Sequence, residues 1–300
     1  MRRVVGKVAE DRWKVYPSAH PAQGSRSAGG LVEAWELCFE DGHCAGILRS
    51  LFAGVRVWDG HMHLGRDRDG HVLDAEHLLA EMDCFGVERA VVFPLDEPGA
   101  RHDFRDANAA VCDAACRHPG RLIPFFRLDP WSDWGPEYER WHRLGFRGIK
   151  LHPRAQLFPI DGPAAEPIFA RAALDGLPVL IHTGWGVDRP GERLAAVAAR
   201  YPSLRLVAGH GCLAELERAI RLLVPHDNVW FETSIVPAYD LVPLLDRLGP
   251  ERLVLGSDAP YGSLAAALQA LVGAATVIGA SRESVRPALG DNLAQVVGGS

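Results

Sequence analysis

The chain has 300 residues, of which 48% are hydrophobic, so it can bury a large core and extended disorder is disfavoured. Its 32 basic and 38 acidic residues give a net charge of −6 without a long basic run, which argues against nucleic-acid and acidic-membrane partners. No apolar segment is long enough to span a bilayer or to form the core of a signal peptide. We therefore expect a cytoplasmic protein that binds a small-molecule substrate, with no nucleic acid and no membrane; a homodimer is compatible with the sequence.

Residues 1–54 do not share the pattern of the rest of the chain. Residues 17–30, PSAHPAQGSRSAGG, are rich in Gly, Pro, Ser and Ala and indicate a loose connection. Residues 31–50 alternate in polarity on both sides of Asp41-Gly42, a turn pair that favours a hairpin. We predict an N-terminal extension over residues 1–54 with a small β-hairpin, to which no function is assigned.

From residue 55 onward, short β-rich runs alternate with segments of helical period, such as DAEHLLAEMDCFG and LAELERAIRLLVP. The eight runs are VRVW (55–58), RAVVFPL (89–95), RLIPFFRL (121–128), FRGIKLH (146–152), LPVLIHT (177–183), LRLVAGH (204–210), NVWFETS (228–234) and RLVLGSD (252–258). Strand and helix units of this number in about 245 residues match a closed (β/α)8 barrel of the TIM type. A doubly wound open sheet is the alternative, but no GxGxxG element supports a dinucleotide site. We assign residues 55–300 to one α/β barrel domain.

The stretch DGHMHLG (59–65) places two histidines one residue apart where the first predicted strand ends. Side chains alternate along a strand, so His61 and His63 would point to one side and Met62 to the other. Such a pair can bind a metal ion, and two solvated loop histidines are the simpler alternative. The other strand ends are needed to decide between them.

Other metal-binding or titratable side chains also stand at predicted strand ends. The carboxyl ends of the strands of a parallel barrel open on one face, so these side chains are expected to converge there. Imidazole and carboxylate suit zinc, manganese or iron, and a catalytic site uses about three or four protein ligands with a position left for water. Besides the first pair, the residues are Lys150, His152, His182, His210 and Asp258.

With these residues in place, the sequence resembles the amidohydrolase superfamily, and in particular its amidohydrolase-related branch of hydrolases and nonoxidative decarboxylases. The resemblance covers roughly residues 55–298. It rests on DGHMHLG, GFRGIKLHP, LPVLIHTG, LVAGHG, NVWFETS, LVLGSDAPYG and GDNLAQVV, in this order along the chain. It implies a mononuclear or binuclear metal site inside a (β/α)8 barrel.

The resemblance also implies roles for individual residues. His61, His63, His182 and Asp258 correspond to the metal ligands, and His210 to the histidine that polarises the substrate or shuttles protons. Asp258 would also take a proton from the metal-bound water and return it to the leaving group. The expected cofactor is one divalent metal ion per chain, Zn²⁺ first, with Mn²⁺ or Fe²⁺ as alternatives.

Each assignment has a simpler alternative. His182 and His210 could be core histidines bonded to backbone carbonyls, and Asp258 could cap the following helix. Lys150 could be carboxylated and bridge two metals, as in binuclear relatives. The remaining candidates are pocket or loop residues with structural or solvated alternatives: His152, Glu232, Thr233, Arg154, Trp185 and Arg189.

The resemblance implies a metal-dependent hydrolase acting on an amide, lactone, ester or activated C–C bond of a small molecule. A metal-dependent nonoxidative decarboxylase of the same branch is the alternative. The stretch LGRDRDGHVLD (64–74) argues against it, because decarboxylases of this branch commonly carry a longer insertion there. The third possibility is a barrel that binds without catalysing a reaction, against which the complete ligand set argues.

Overall fold

The structure, a computed structural model, describes residues 43–95 and 104–298. Residues 1–42, with the loose connection and the first arm of the predicted hairpin, lie outside the described residues. The second arm is not a strand, because His43–Leu51 form helix α1. Ala45, Leu48 and Phe52 are buried at helical spacing, and this apolar stripe favours a helix over a half-buried strand. The domain boundary at residue 54 stays a prediction.

The described residues contain nine β-strands. They are β1 (Trp58–Arg66), β2 (Val72–Leu73), β3 (Arg89–Pro94), β4 (Leu122–Arg127), β5 (Gly148–Leu151), β6 (Val179–His182), β7 (Leu206–Gly209), β8 (Val229–Glu232) and β9 (Leu253–Val254). Each of the eight predicted strands has a counterpart. β2 is the additional strand, and it forms within the segment expected to be a loop.

Eleven α-helices occur in the same described ranges. They are α1, α2 (Ala75–Phe85), α3 (Arg105–Arg117), α4 (Gly135–Arg143), α5 (Glu166–Asp175), α6 (Pro190–Arg200), α7 (Leu216–Leu223), α8 (Ala238–Leu248), α9 (Leu264–Val277), α10 (Arg282–Arg286) and α11 (Asn292–Val296). Short 3₁₀ segments span His210–Glu215 and Pro250–Arg252, and a π-helical turn spans Pro287–Asp291. None of these helices has the length and apolar character needed to cross a membrane.

The first strand is longer than predicted and contains the HxH motif. The sequence suggested a strand ending at residue 58, whereas β1 begins there and runs to Arg66. Parallel pairing with β3 keeps the histidines in the sheet, with Met62 opposite Val92 and His63 opposite Phe93. β2 then pairs antiparallel with the end of β1, which folds the following turn back onto the barrel.

The sheet closes on itself between β1 and the chain that follows β9. β1 and β3 to β9 lie side by side in chain order and pair in parallel, and β2 lies on the other side of β1, antiparallel to it. The backbone N–H of Gly60 donates to Leu255 (2.7 Å), that of Asp258 to His61 (2.8 Å), and that of His63 to Ala259 (2.9 Å). These bonds join the two ends of the sheet, so the predicted TIM-type α/β barrel is confirmed.

The apolar core has two parts, inside the barrel and between the strands and the helices. Along β3, Val91 and Phe93 belong to the inner cluster, whereas Ala90 and Val92 belong to the outer one. This alternation follows the side-chain period of two in a strand. The carboxyl ends of the strands are therefore held by packing on both faces, which makes them rigid positions for polar side chains.

Candidate metal centre

β1 carries the two histidines of the HxH motif on one face. Met62, between them, is fully buried in the outer core, and the imidazole rings of His61 and His63 lie 5.3 Å apart. Both rings pack edge-on against Phe93 of β3, with centroid distances of 5.1 and 4.6 Å. The strand period and this aromatic contact together fix the direction of both imidazoles.

Asp258 joins these histidines from the other end of the barrel. Its Oδ1 lies 3.1 Å from Nε2 of His61 and 3.0 Å from Nε2 of His63. A tetrahedral ion with metal–ligand distances of about 2.0–2.2 Å holds its ligand atoms roughly 3.3–3.5 Å apart. The three atoms are therefore spaced closely enough to share one small divalent cation.

The backbone around Asp258 is arranged to aim this carboxylate. Its φ of 61° lies in the left-handed region, which is costly for a residue with a side chain. The N–H of Asp258 donates to the carbonyl of His61 (2.8 Å), and its carbonyl accepts from the N–H of Tyr261 (2.8 Å). The following helix is capped by Ser263 instead, so Asp258 is not the helix cap considered as its alternative role.

Glu232, at the end of β8, links two of the histidines. Its Oε2 accepts from His61 Nδ1 (2.6 Å), from the backbone N–H of His210 (3.1 Å) and from Ser234 Oγ (2.9 Å). Its Oε1 accepts from the N–H of Ser234 (2.5 Å), and a Cβ at Gly256 would collide with it. Burial raises the pKa of Glu232, but His61, His210 and the Ser234 N–H outweigh it and hold the pKa below its usual value.

His210 follows β7 in a left-handed backbone conformation with a φ of 63°. Its Nδ1 lies 2.9 Å from Ser234 Oγ and 3.4 Å from the Ser234 carbonyl. Its ring stands 4.8 Å from that of His61 and 4.7 Å from that of His182. A Cβ at Gly209 would lie 3.0 Å from the carbonyl oxygen of Ile181, so this glycine allows β7 to pass close to β6 just before His210.

His182, the fourth predicted ligand, lies beside this group. Its ring stacks on His152 with a centroid distance of 3.9 Å and a 17° angle. Its Nε2 is buried and has no hydrogen-bond partner among the described residues. Two groups of three described residues have ligand atoms that all lie within 4.8 Å of one another: His61, His63 and Asp258, and His61, His210 and Glu232. His182 belongs to neither group. Its role as a ligand therefore stays a prediction.

Two buried cationic side chains lie on the β4 and β5 side of the site. Lys150 Nζ is 3.0 Å from His61 Nε2 and 4.6 Å from the ring centre of Phe93. Burial lowers the pKa of Lys150 to about 7, with a further lowering from Arg127, although Asp258 raises it. The Arg127 guanidinium is itself buried, 4.4 Å from the ring of Phe104.

Burial lowers the pKa of most of the site histidines. The pKa values of His63 and His210 fall to about 4, and that of His182 to about 2. Asp258 shows the opposite balance, because His61 and His63 hold its pKa well below the usual value in spite of burial. The site at neutral pH therefore offers neutral imidazoles and an ionised carboxylate.

His61 differs from its neighbours. Burial and the charge of Lys150 lower its pKa, but Glu232 and Asp258 outweigh them and raise it above the ordinary value. A proton is thus favoured on His61 between two carboxylates. A cation would compete with that proton for Nε2.

The loop candidates Arg154 and Arg189 contact residues outside the histidine and carboxylate cluster. Arg154 donates to the backbone carbonyl of exposed Trp185 (3.3 Å). Arg189 contacts the neighbouring acids Asp188 (3.3 Å) and Glu192 (3.7 Å). Substrate contact by these loop residues stays a prediction. Thr233 is buried, and its Oγ1 has no hydrogen-bond partner within the described ranges.

Sequence reasoning missed two residues and left a third open. Ser234 and Arg127 were not singled out, and Glu232 was considered only as a pocket or filling residue. One available signal was the polar run Glu232, Thr233, Ser234 directly after the apolar VWF of β8, and another was an arginine at the end of the apolar strand β4. Both are charged or polar groups at carboxyl ends of barrel strands, where chemistry concentrates.

The residues fit a bound divalent cation. Imidazole nitrogens and carboxylate oxygens are the ligand types that zinc and similar ions take, and they lie close together here. The Lys150 amine lies beside them, 3.0 Å from His61 Nε2. Nε2 of His182 is buried and has no hydrogen-bond partner among the described residues, and a bound ion would supply one. Fold and site together define a parallel α/β barrel with a histidine and carboxylate cluster at the carboxyl ends of its strands.

Comparison with known proteins supports the resemblance. The family model described as Amidohydrolase matches residues 41–298, so the chain belongs to that family. No curated protein matches the sequence. Solved structures share the fold at low identity. An amidohydrolase from Burkholderia multivorans with bound Zn has a TM-score of 0.66 and 17% identity, covering 82% of this chain and 100% of that one.

Two further solved structures come from proteins whose names give different reactions. The 5-carboxyvanillate decarboxylase from Sphingomonas paucimobilis has a TM-score of 0.64 and 17% identity over 82% of this chain and 100% of that one. A probable 2-pyrone-4,6-dicarboxylic acid hydrolase from Acinetobacter baumannii, with citric acid bound, has a TM-score of 0.60 and 16% identity over 81% and 99%. The family match makes the chain an enzyme of the amidohydrolase type, and the names of these two structures do not fix its reaction.

Proposed function

We propose that the protein is a metal-dependent hydrolase that uses an activated water on an amide, lactone, ester or activated C–C bond of a small molecule. The observation that supports it most is the position of Asp258 Oδ1, 3.1 and 3.0 Å from Nε2 of His61 and His63. These three residues would hold one ion with His182 as the fourth ligand. Zinc is the first choice because imidazole and carboxylate ligands suit it, with manganese and iron(II) as alternatives.

A bound ion of this kind lowers the pKa of a coordinated water from about 15.7 to about 7. Asp258 would accept the proton of this water and return it to the leaving group, a task worth roughly 10²–10⁴-fold in rate. Its low pKa keeps it ionised and ready to accept. His210, beside His61 and buried, is the second group placed to move a proton.

The protonation states favour hydrolysis over decarboxylation. With a pKa of about 4, His210 is neutral near pH 7 and can accept a proton, and Asp258 is ionised. Hydrolysis begins by removing a proton from water, and these two groups can accept it. Decarboxylation instead requires a proton to be delivered to carbon.

The decarboxylase alternative has one observation in its favour. Arg127 is buried at the end of β4, and its charge lowers the pKa values of Lys150 and His152 on the same side of the site. Two cationic side chains of this kind could hold a substrate carboxylate next to the ion. In that case the carboxylated carbon, and not a carbonyl, would face Asp258.

Turnover in ¹⁸O-labelled water separates the two reactions. The metal-loaded protein is assayed on a panel of lactones, amides, esters and carboxylated aromatic acids. Hydrolysis places the label in the product and releases no carbon dioxide. Carbon dioxide release, with solvent deuterium entering at the same carbon, contradicts the hydrolase proposal and supports the alternative. The His63→Ala variant, which lacks a proposed ligand, serves as the control for contaminating activity.

Metal analysis tests the cofactor separately. We expect about one zinc, manganese or iron ion per chain after reconstitution, as four ligands at one centre require. His63→Ala should retain little of it, because no neighbouring side chain can replace the lost ligand. Failure of the unmodified protein to bind any of the three ions contradicts the proposal. A content near two ions would assign Lys150 to a bridging role, and Lys150→Ala should then remove one ion.

A further inference from the structure

We propose that Glu232 and Ser234 are positioning residues that keep the protons of His61 and His210 on Nδ1, so that both imidazoles present Nε2 lone pairs to the pocket. The tautomers follow from hydrogen-bond geometry alone. Their consequence for metal binding rests on the proposed function. Neither residue would touch the substrate.

The Glu232 carboxylate fixes the proton on His61. Both oxygens of Glu232 are engaged inside the protein, by His61 Nδ1, the His210 N–H, and the Oγ and N–H of Ser234. An ionised carboxylate only accepts hydrogen bonds, so every one of these partners must donate. The 2.6 Å contact therefore places a proton on Nδ1 of His61. Glu232 itself has little capacity left to bind a metal or to act as a base.

Ser234 determines the proton position on His210 by the same hydrogen-bond rule. Its hydroxyl has one hydrogen, and it lies 2.9 Å from both Glu232 Oε2 and His210 Nδ1. Because Glu232 must receive a donor, the hydroxyl hydrogen goes to the carboxylate, and Oγ is left to accept from Nδ1 of His210. The Ser234 carbonyl, 3.4 Å from the same nitrogen, is a second acceptor and agrees with a proton there.

The direction of the lone pairs follows. Nε2 of His61 lies 3.1 Å from Asp258 Oδ1 and 3.0 Å from Lys150 Nζ, so a metal ion bound there would take the place of a proton between two acceptors. With the one proton of the neutral imidazole on Nδ1, facing Ser234, Nε2 of His210 is an acceptor. His210 would then take a proton in the reaction, and in this neutral form it cannot donate to a substrate carbonyl.

A carboxylate behind a metal-binding histidine also strengthens the ligand. Such partners fix the ring orientation and raise basicity, and their loss typically costs about 10–100-fold in metal affinity. Glu232→Gln keeps the size but loses one accepting oxygen, so one of its donors must lose its partner. Ser234→Ala removes the hydroxyl that links Glu232 Oε2 to His210 Nδ1 and should leave the 2.6 Å contact between Glu232 and His61 in place.

The test combines nitrogen NMR with zinc titration. In zinc-loaded protein with ¹⁵N-labelled histidine, His210 is assigned by the signal lost in His210→Asn. We expect a proton on its Nδ1 and none on Nε2. Ser234→Ala should shift it toward the Nε2–H form or a mixture, and Ser234→Thr, which keeps the hydroxyl, should restore the original form. A proton on Nε2 of His210 in the unmodified protein, or no change in Ser234→Ala, would overturn the inference.

Zinc affinity completes the experiment. Glu232→Gln should bind zinc about 10–100-fold more weakly than the unmodified protein, measured by competition with a chromophoric chelator. The control is Glu81→Gln, which alters a buried carboxyl that caps α9 through the N–H of Leu264 and should leave the affinity unchanged. Equal affinity of Glu232→Gln and the unmodified protein overturns the inference about Glu232. Absence of zinc binding by the unmodified protein contradicts the proposed function instead, while the His210 tautomer is still measurable in metal-free protein.

Discussion

Asp258 and His210 combine a functional side chain with an unfavourable backbone. Both have φ values in the left-handed region, 61° and 63°, which ordinary side chains adopt at a cost of about 1–3 kcal/mol each. The surrounding bonds hold them there, through the carbonyl of His61 for one and the carboxylate of Glu232 for the other. Backbone strain of this kind is found at functional sites, where a side chain has to be held in one direction. It therefore supports a functional role for both residues.

The first prediction concerns Asp258. Asp258→Asn keeps the size and one oxygen but removes the charge, so metal should stay bound, more weakly, while turnover falls by at least ~10²-fold. Metal content and steady-state rates on the same preparation check it. Asp74→Asn is the matched control, because Asn also caps helices and Asp74 caps α2 on the surface. Wild-type turnover by metal-loaded Asp258→Asn would show that the proton acceptor is another residue.

The second prediction is the pH dependence of metal affinity. The proton on His61, favoured by Glu232 and Asp258, must leave before Nε2 can bind a cation. Affinity should therefore rise about tenfold per pH unit below the raised pKa of His61 and level off above it. His63, with a pKa of about 4, should add a further loss only in more acid solution. Zinc competition at several pH values measures this, and a flat profile across the range would contradict it.

At the scale of elements, α2 and α9 meet through a buried acid. Glu81 of α2 accepts from the N–H of Leu264 at the start of α9, where the positive end of the helix dipole favours a carboxylate. Burial nevertheless dominates and raises its pKa to about 7. The folded protein is therefore most stable when Glu81 is protonated, because burial outweighs the hydrogen bond from Leu264.

This gives the third prediction. Between its unfolded and folded pKa values, the Glu81 carboxyl keeps its proton in the folded state and has lost it in the unfolded chain. Its contribution to the free energy of unfolding is therefore complete below pH 4.5 and is lost as the pH rises through about 7. Glu81→Gln, which is neutral at every pH, should remove this decline and be the more stable protein at pH ~8, by at most about 3 kcal/mol. Urea unfolding at acid and alkaline pH checks it. A larger decline in Glu81→Gln than in the unmodified protein would contradict it.

In the whole molecule, three of the four proposed ligands lie at the seam that closes the barrel, on both sides of it. His61 and His63 come from β1, and Asp258 follows β9, where backbone bonds join the first and last parallel strands. A bound ion would thus connect the two ends of the sheet. Its contribution to stability should be concentrated at this seam.

The fourth prediction follows from this position. Zinc at about 100 times its dissociation constant stabilises a folded protein by about 2.7 kcal/mol, which corresponds to a rise in Tm of roughly 5–10 °C for a chain of this size. Chelation should reverse the rise and speed hydrogen exchange at the seam amides of Gly60, His63 and Asp258 more than in β4 and β5, which carry none of the four proposed ligands. His63→Ala should show no zinc-dependent change. Uniform exchange across the barrel after chelation would place the ion elsewhere.

The amino-acid pattern was sufficient to predict the barrel and to group several polar side chains on one of its faces. Apolar runs of strand length alternating with helical segments predict parallel strands, and parallel strands bring their carboxyl ends to one face wherever they lie in the chain. For that reason His61, His63 and Asp258 could be grouped although 195 positions separate the last two. The strand period of two likewise predicted that the two histidines share a side, and the family resemblance is confirmed.

Features that depend on exact distances between atoms far apart in the chain were visible only in the folded structure. The extent of β1 depends on its pairing with β3, and α1 forms because its apolar stripe has a surface to pack against. The contact between His61 and Glu232 spans 171 positions and depends on which nitrogen faces which oxygen. Periodicity places a side chain on a face of the sheet, but hydrogen bonds of about 3 Å depend on rotamers and backbone angles that only the folded packing selects.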